Sequence, residues 1–175
     1  MPTYPTIAAG QKLTASLLQS MLDNVIVKGT TQTITNSTTL VTDTELQVPV
    51  VANASYEIEF NLRYAGLLAA GFKTCWVYPS GASGNKWVMG PGSANVASTD
   101  ADTTEMRWSI HGAGTVVNYS EPRNSTSLQT FCWERGRVDV GSTAGTVLIQ
   151  YAQKTANATG TQVVPASYVR YRRVA

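Results

Sequence analysis

The chain has 175 residues, of which 14% are charged, and its formal net charge is +2. This length predicts one domain with a buried core, and a charge content below the roughly 25% of an average soluble domain suits a protein packed among neighbours. There are no lysine runs and no basic stripe interleaved with aromatic residues, so the composition argues against a nucleic-acid-binding protein.

The amino-terminal residues have the sequence MPTYPTIAAGQK, with neither a basic start nor an apolar run of signal-peptide length. No other window approaches the ~20 apolar residues of a membrane span. We therefore expect a protein made in a cytoplasm, without a membrane partner.

Residues 1–12 contain two prolines and one glycine and predict an extended arm. A short amphipathic helix follows, for which Thr14 is a suitable N-cap. Its apolar stripe consists of Leu13, Leu17, Leu18, Met21 and Leu22. A helix of about two to three turns is not stable alone, so the stripe must dock on its own sheet, on another subunit or on another protein.

From residue 25 onward the pattern changes to strands separated by turns. The clearest strand is 55–65, in which one face carries Tyr56, Ile58, Phe60, Leu62 and Tyr64, and the other carries Glu57, Glu59, Asn61 and Arg63. Pro49 marks an edge strand or a strand end. Further strands are predicted over 25–27, 46–50, 72–78, 86–89, 105–111, 115–119, 128–133, 137–140, 146–153 and 167–174. In the strand 105–111 we expect Met106, Trp108 and Ile110 to point inward.

About eight to ten strands with Gly, Pro and Ser turns predict an all-β protein. The expected fold is a single jelly-roll-like antiparallel β-sandwich over residues 25–175, preceded by an arm and docking helix over residues 1–24. No repeat of 20 to 50 residues is visible, which argues against a propeller or solenoid.

Cys75 and Cys132 each precede a tryptophan in a strand-like run. The favoured interpretation is two buried thiols that act as small apolar side chains. A disulfide formed in an oxidising medium is the alternative.

The sequence predicts no catalytic residue, cofactor or metal site. His111 is the only histidine, which excludes sites with two imidazoles, and we expect it to face solvent at a strand end. Glu57 and Glu59 are spaced like the start of a glycosidase pair, but a solvated strand face is favoured over it. Asp100, Asp102 and Glu105 carry oxygen ligands suited to calcium, and we favour a solvated loop there.

The four tryptophans are Trp76, Trp87, Trp108 and Trp133. In a sandwich of this size we expect aromatic residues to be mostly core. Trp87 is the exception, because it follows a turn-rich loop and is a candidate contact for a glycan.

Three segments resemble small virion proteins of tailed bacteriophages of actinobacteria. The first is TIAAGQKLTASLLQSML, similar to an opening common among phage minor tail and other virion proteins. The second, TTLVTDTELQVPVVANASYEIEFNLRYAG, resembles a recurring strand block, and the third, GTVLIQYAQKTANATGTQVVPASYVRYRRVA, is similar to closing hairpins in these proteins. Residues 91–137 are not covered.

The resemblance implies a non-enzymatic structural protein of a phage particle, with a trimeric jelly-roll sandwich. We expect a decoration protein on the capsid exterior, held by its N-terminal arm, with the major capsid protein or a tail component and further copies of itself as partners. The alternative is a minor tail or receptor-binding protein that contacts host-surface glycan through Trp87 and the loop 100–105. A hydrolase is the third alternative.

Overall fold

The computed structural model describes residues 7–92, 106–121 and 123–175. It is all-β apart from one helical segment, α1, at Ala15–Ser20. The strands of this part of the chain are β1 Asn24–Val27, β2 Gln32–Ile34, β3 Val41–Val50, β4 Ser55–Gly66, β5 Phe72–Val77, β6 Ser83–Pro91, β7 Met106–Gly112, β8 Val117–Tyr119, β9 Ser125–Asp139, β10 Gly145–Ala152, β11 Thr161–Val163 and β12 Tyr168–Arg173.

The described strands form two antiparallel sheets. The larger sheet has the order β1-β12-β4-β9-β6-β7, with β11 also paired to β4 and β2 paired to β11. The smaller sheet has the order β3-β10-β5-β8. Pro49 lies on β3, an edge strand as its missing N–H predicts. Along the main path of the larger sheet, β1 and β7 lie at opposite edges.

The predicted buried face of β4 is confirmed, whereas Glu59 on the face predicted to be solvated is only 7% exposed. The side chains Tyr56, Ile58, Phe60, Leu62 and Tyr64 are all buried. They pack on the inner face of the smaller sheet: the ring centroids of Phe60 and Trp76 lie 5.1 Å apart, and Tyr64 stacks on Phe72 at 4.2 Å. Offset and edge-to-face aromatic pairs of this kind add to the stabilisation from buried area. β4 is therefore central to the core.

The strands predicted over 128–133 and 137–140 are one continuous strand, β9. Gly136, which lies between the two predicted segments, is opposite Ile58 of β4 and Lys86 of β6. A Cβ atom at this position would lie 2.3 Å from the carbonyl oxygen of Asn85. The glycine allows close approach of the neighbouring backbone and does not mark a turn.

The predicted orientation of β7 is wrong. Met106, Trp108 and Ile110 are 43%, 75% and 66% exposed, whereas the alternate residues Arg107, Ser109 and His111 are half-buried. Periodicity separates the two faces of a strand but does not say which face is buried. On this edge strand, the polar face is turned inward and the apolar face outward.

The predicted helix is shorter than expected. The Leu17 N–H donates to Thr14 Oγ1 at 3.3 Å, which matches the predicted N-cap. However, α1 ends at Ser20 after six residues, so a helix of two to three turns through Leu22 is not formed. Leu13 and Leu18 are 55% and 49% exposed, and nothing in the described part of the domain covers them fully.

Two fully buried lysines are paired with acids inside the sandwich. Lys28 Nζ lies 2.8 Å from Asp43 Oδ2, and that oxygen also accepts a hydrogen bond from the Tyr151 hydroxyl at 3.0 Å. Lys86 Nζ lies 2.9 Å from Glu134 Oε2, and neither side chain is exposed to solvent. Buried charges persist only when paired and hydrogen-bonded.

Cys75 and Cys132 are both buried free thiols, which confirms the favoured interpretation. Cys75 Sγ lies 3.2 Å from the carbonyl oxygen of Gly114. Burial raises the pKa of both thiols, so they are protonated and unreactive at neutral pH.

Candidate interaction surface

The outer face of the larger sheet carries an exposed apolar surface at its β7 edge, which we call the tryptophan face. It surrounds a groove of about 610 Å³ whose lining includes Trp87, Trp108, Ile110 and Trp133. The residues that form the face are Trp87 and Met89 of β6, Met106, Trp108 and Ile110 of β7, and Phe131 and Trp133 of β9.

Strand register brings these side chains together. Met89 of β6 lies opposite both Trp108 of β7 and Trp133 of β9. Trp87 lies opposite Ile110 on one side and Arg135 on the other. Because directly opposed residues of an antiparallel pair project from the same side of the sheet, these two rows form one continuous surface.

The exposure of the tryptophan face is large for a protein surface. A tryptophan presents up to about 250 Å², so the 75% exposed fraction of Trp108 amounts to on the order of 190 Å². Trp87 at 47%, Ile110 at 66%, Met106 at 43% and Phe131 at 41% extend it. Together they reach the ~300–600 Å² of the largest apolar patch on a typical monomer, a size that often marks an interaction site.

An ionic ladder lies beside the tryptophan face, on β12, β4 and β9. Glu57 Oε2 is 2.9 Å from Arg172 Nη2 and 3.3 Å from Arg135 Nη2, and Glu59 Oε2 is 2.8 Å from Arg170 Nη2. Partial burial opposes ionisation of Glu57, but hydrogen bonds from Arg172 and Arg135 outweigh it and lower its pKa. Both carboxylates are held by arginines, so the structure does not arrange them as a glycosidase acid and nucleophile.

A second set of exposed apolar side chains lies on β1 and on the chain just before it, and we call it the amino-terminal patch. It consists of Leu13, Leu18, Met21, Leu22, Val25 and Val27, which are 48–64% exposed. Val25 pairs with Arg170 of β12, so it projects from the same outer face as the ionic ladder. The β1–β12 ladder holds this segment against β12, and Asp23 Oδ2 lies 3.6 Å from Arg170 Nε beside it.

His111 is not the solvent-facing residue predicted from the sequence, because it is half-buried on the inner side of β7. Its Nε2 atom lies 2.6 Å from Ser109 Oγ. Burial and the nearby Arg107 and Lys86 lower the pKa of His111, which keeps the ring neutral at pH 7. No carboxylate in the described residues bonds its second ring nitrogen, the orienting role that a catalytic triad requires.

Within the ranges given above, no group of three or more His, Cys, Asp and Glu side chains is placed to hold a metal ion. No helix in those ranges is long and apolar enough to cross a membrane. Asp100, Asp102 and Glu105, considered as a calcium loop from the sequence, lie outside the described residues.

The predicted exposure of Trp87 is confirmed, and Trp76 is core as expected. Sequence reasoning missed Trp108 as an exposed residue and Trp133 as a half-buried residue of the groove. The only available signal was the alternation of 106–111, which marks an apolar face without assigning it to the core or the outside.

No protein-family model matches the sequence, and no curated protein matches it either. Among solved structures, a chain of the infectious bursal disease virus Gt strain is 11% identical, with a TM-score of 0.20 over 87% of this chain and 40% of that one. A chain of the VP2 subviral particle of the same virus is 12% identical, with a TM-score of 0.23 over 99% of this chain and 46% of that one. The chain thus spans less than half the length of these proteins, and TM-scores of this size do not establish a common fold.

Proposed function

We propose that the chain is a non-enzymatic structural protein of a bacteriophage virion, a homotrimer of jelly-roll sandwiches that decorates the outside of the capsid. Residues 1–12 form the arm that attaches each copy to the major capsid protein. The resemblance of the opening, the β3–β4 block and the closing hairpin to phage virion proteins supports the location.

The single observation that carries an assembly role is the tryptophan face. An edge strand that presents Trp108 and Ile110 outward at 75% and 66% exposure is a poor surface for an isolated protein in water. Burial against another protein removes the free-energy cost of exposing these apolar side chains to water. A catalytic role would require a set of catalytic side chains in contact, which the described residues do not provide.

Deleting residues 1–12 is expected to abolish attachment to capsids while the sandwich still folds. The arm precedes α1 and all twelve described strands, so its removal leaves the core intact. The measurement is the occupancy of purified particles after incubation with the truncated protein, read by microscopy and gel densitometry, with circular dichroism as the check on folding. The matched control replaces residues 1–12 by a Gly/Ser segment of equal length, which separates arm sequence from arm length. Full occupancy with the truncated protein would contradict attachment by the arm.

A minor tail or receptor-binding protein is the second candidate, and one observation favours it. The groove that contains Trp87 is also lined by Arg135 and Glu57, and aromatic faces beside charged hydrogen-bonding groups are suited to glycan rings. Glycan-array binding by the wild type that is lost in Trp87→Ala and retained in Trp76→Phe would support it. Absence of binding, together with uniform labelling of the capsid, would support decoration.

A further inference from the structure

We propose that the amino-terminal patch of one copy docks in the groove of the tryptophan face of the next, head to tail, and that three such contacts close the trimer. This inference rests on the proposed function and names the contact that builds its trimer. Both surfaces are apolar and exposed, and the strands that carry Val25 and Val27 of the one and Trp108 and Ile110 of the other lie at opposite edges of the same sheet.

The amino-terminal patch and the tryptophan face of one copy are too far apart to pack against each other. The segment that joins Ser20 to Asn24 spans about 14 Å at most when fully extended, and Asp23 is tied to Arg170. Strands β6 and β7 lie four and five strand spacings from β1, about 19 and 24 Å at 4.8 Å per spacing. Met21 and Leu22 therefore stay at the β1 edge, and only another copy brings them to the groove.

The ionic ladder on β12, β4 and β9 lies between the two patches, and its charged groups are already paired within the same copy. The carboxylates of Glu57 and Glu59 already bind Arg172, Arg135 and Arg170 of the same copy. Exposed charged groups that are paired within one chain contribute little free energy to association with another copy. They do separate the amino-terminal patch from the tryptophan face along the sheet. The sheet consequently presents two separate apolar surfaces, as a head-to-tail contact between copies requires.

The chemistry and the area of the groove both fit the amino-terminal patch of a second copy. Ile110 and Met106 are aliphatic and lie on the same strand as Trp108, and aliphatic side chains match leucine and methionine better than they match a sugar ring. Each contact buries the amino-terminal patch of one copy against the tryptophan face of the next, and their exposed side chains supply on the order of 1,000 Å², close to the ~1,200 Å² total of the smallest standard interfaces. An amphipathic segment in an apolar groove is a recurrent mode of protein recognition.

Chemical cross-linking tests the direction of the contact. We expect a bifunctional maleimide to join Leu18→Cys protein to Ile110→Cys protein in a mixture, and to join neither variant to itself. The double variant Leu18→Cys/Ile110→Cys is expected to give a covalent trimer. Reaction at the native thiols is suppressed because Cys75 and Cys132 are buried. Cross-linking of Ile110→Cys protein alone would show contact between two tryptophan faces and overturn the proposal, as would a double variant that remains monomeric.

The molecular mass of the protein in solution, measured as a function of concentration, tests how strongly this contact stabilises the trimer. The triple variant Leu18→Ser/Met21→Ser/Leu22→Ser is expected to weaken trimer formation at least about 100-fold, since three apolar side chains lose their burial, with no change in the denaturant midpoint of the monomer. Val116→Ser alters another exposed apolar residue, 43% exposed and outside both patches, and serves as the matched control that stays trimeric. A triple variant that remains trimeric overturns this contact but leaves the proposed trimer standing. A monomeric wild type contradicts both the contact and the proposed trimer.

Discussion

Replacing Glu134 by glutamine is expected to lower the free energy of unfolding by about 3–5 kcal/mol, because it leaves the ammonium of Lys86 buried without a counter-charge. Neither side chain is exposed, so water cannot compensate for the lost pair. Removal of one member of a buried ion pair is among the few single changes that cost this much.

The network around Glu134 explains why the pair is retained in the core. Oε2 binds Lys86 Nζ at 2.9 Å, and Oε1 accepts hydrogen bonds from the Tyr119 hydroxyl at 2.8 Å and from Thr74. The Lys86 ammonium also lies 5.6 Å from the centroid of the Trp76 ring, within the range of a cation–π interaction. Glutamine retains one acceptor for the hydroxyls, but its amide NH2 replaces Oε2, so the expected loss combines the missing charge with the missing acceptor for the Lys86 ammonium.

Denaturant unfolding at pH 7 measures the free energy of unfolding that Glu134→Gln loses. Two further variants show how much of that loss comes from the unpaired buried charge. Glu57→Gln changes a glutamate of the ionic ladder, whose side chain is 36% exposed, and is expected to cost no more than about 1 kcal/mol. The double variant Lys86→Met/Glu134→Gln removes both charges and is expected to recover most of the stability. If Glu134→Gln costs no more than Glu57→Gln, the pair is not desolvated as described.

Replacing Glu121 by glutamine is expected to remove a fall in stability that the wild type shows between about pH 4.5 and pH 8. Burial raises the pKa of Glu121 from 4.5 to about 8, and the side chain has no solvent exposure. Oε1 accepts one hydrogen bond, from the Arg123 N–H at 3.1 Å, and Oε2 has no partner among the described residues. One hydrogen bond does not compensate a carboxylate for its lost hydration.

The free energy of unfolding falls with rising pH because the folded and unfolded states bind different numbers of protons at Glu121. Below the unfolded pKa of 4.5, Glu121 is protonated whether the chain is folded or unfolded, so it imposes no penalty. Between 4.5 and about 8, the folded state holds more protons than the unfolded state, and the free energy of unfolding falls as the pH rises. Each pKa unit corresponds to about 1.4 kcal/mol, so the full effect is on the order of several kcal/mol above pH 8.

The measurement is the free energy of unfolding of wild type and Glu121→Gln from pH 5 to pH 9. We expect the two curves to separate with rising pH, with the variant more stable at the alkaline end. Glu45→Gln is the control, because the hydrogen bond from the Thr30 hydroxyl and those from the backbone N–H groups of Gly29 and Thr30 lower the pKa of Glu45 to about 2, so its titration lies outside this range. Parallel curves for wild type and Glu121→Gln would contradict the raised pKa.

Much of the fold was predictable because local periodicity and turn chemistry are properties of the chain itself. The alternation from Tyr56 to Tyr64 predicted both the strand and its buried face, and β4 has both. Pro49 predicted an edge position or a strand end, since it has no N–H for a second neighbour, and it lies on the edge strand β3. β9 was divided into two predicted strands around Gly136, because a glycine that admits a neighbouring backbone and a glycine that turns the chain look the same in a sequence.

By itself, the sequence determined the all-β class, most strands, the N-cap at Thr14 and the exposure of Trp87. Only the tertiary structure decided which side of β7 faces water, because alternation defines two faces and the packing of the sheets selects between them. It also decided that Trp87, Trp108 and Trp133 share one groove, since strand register joins residues that are far apart in the chain. The same sheet order placed the amino-terminal patch and the tryptophan face at opposite edges, and that separation cannot be read from sequence spacing.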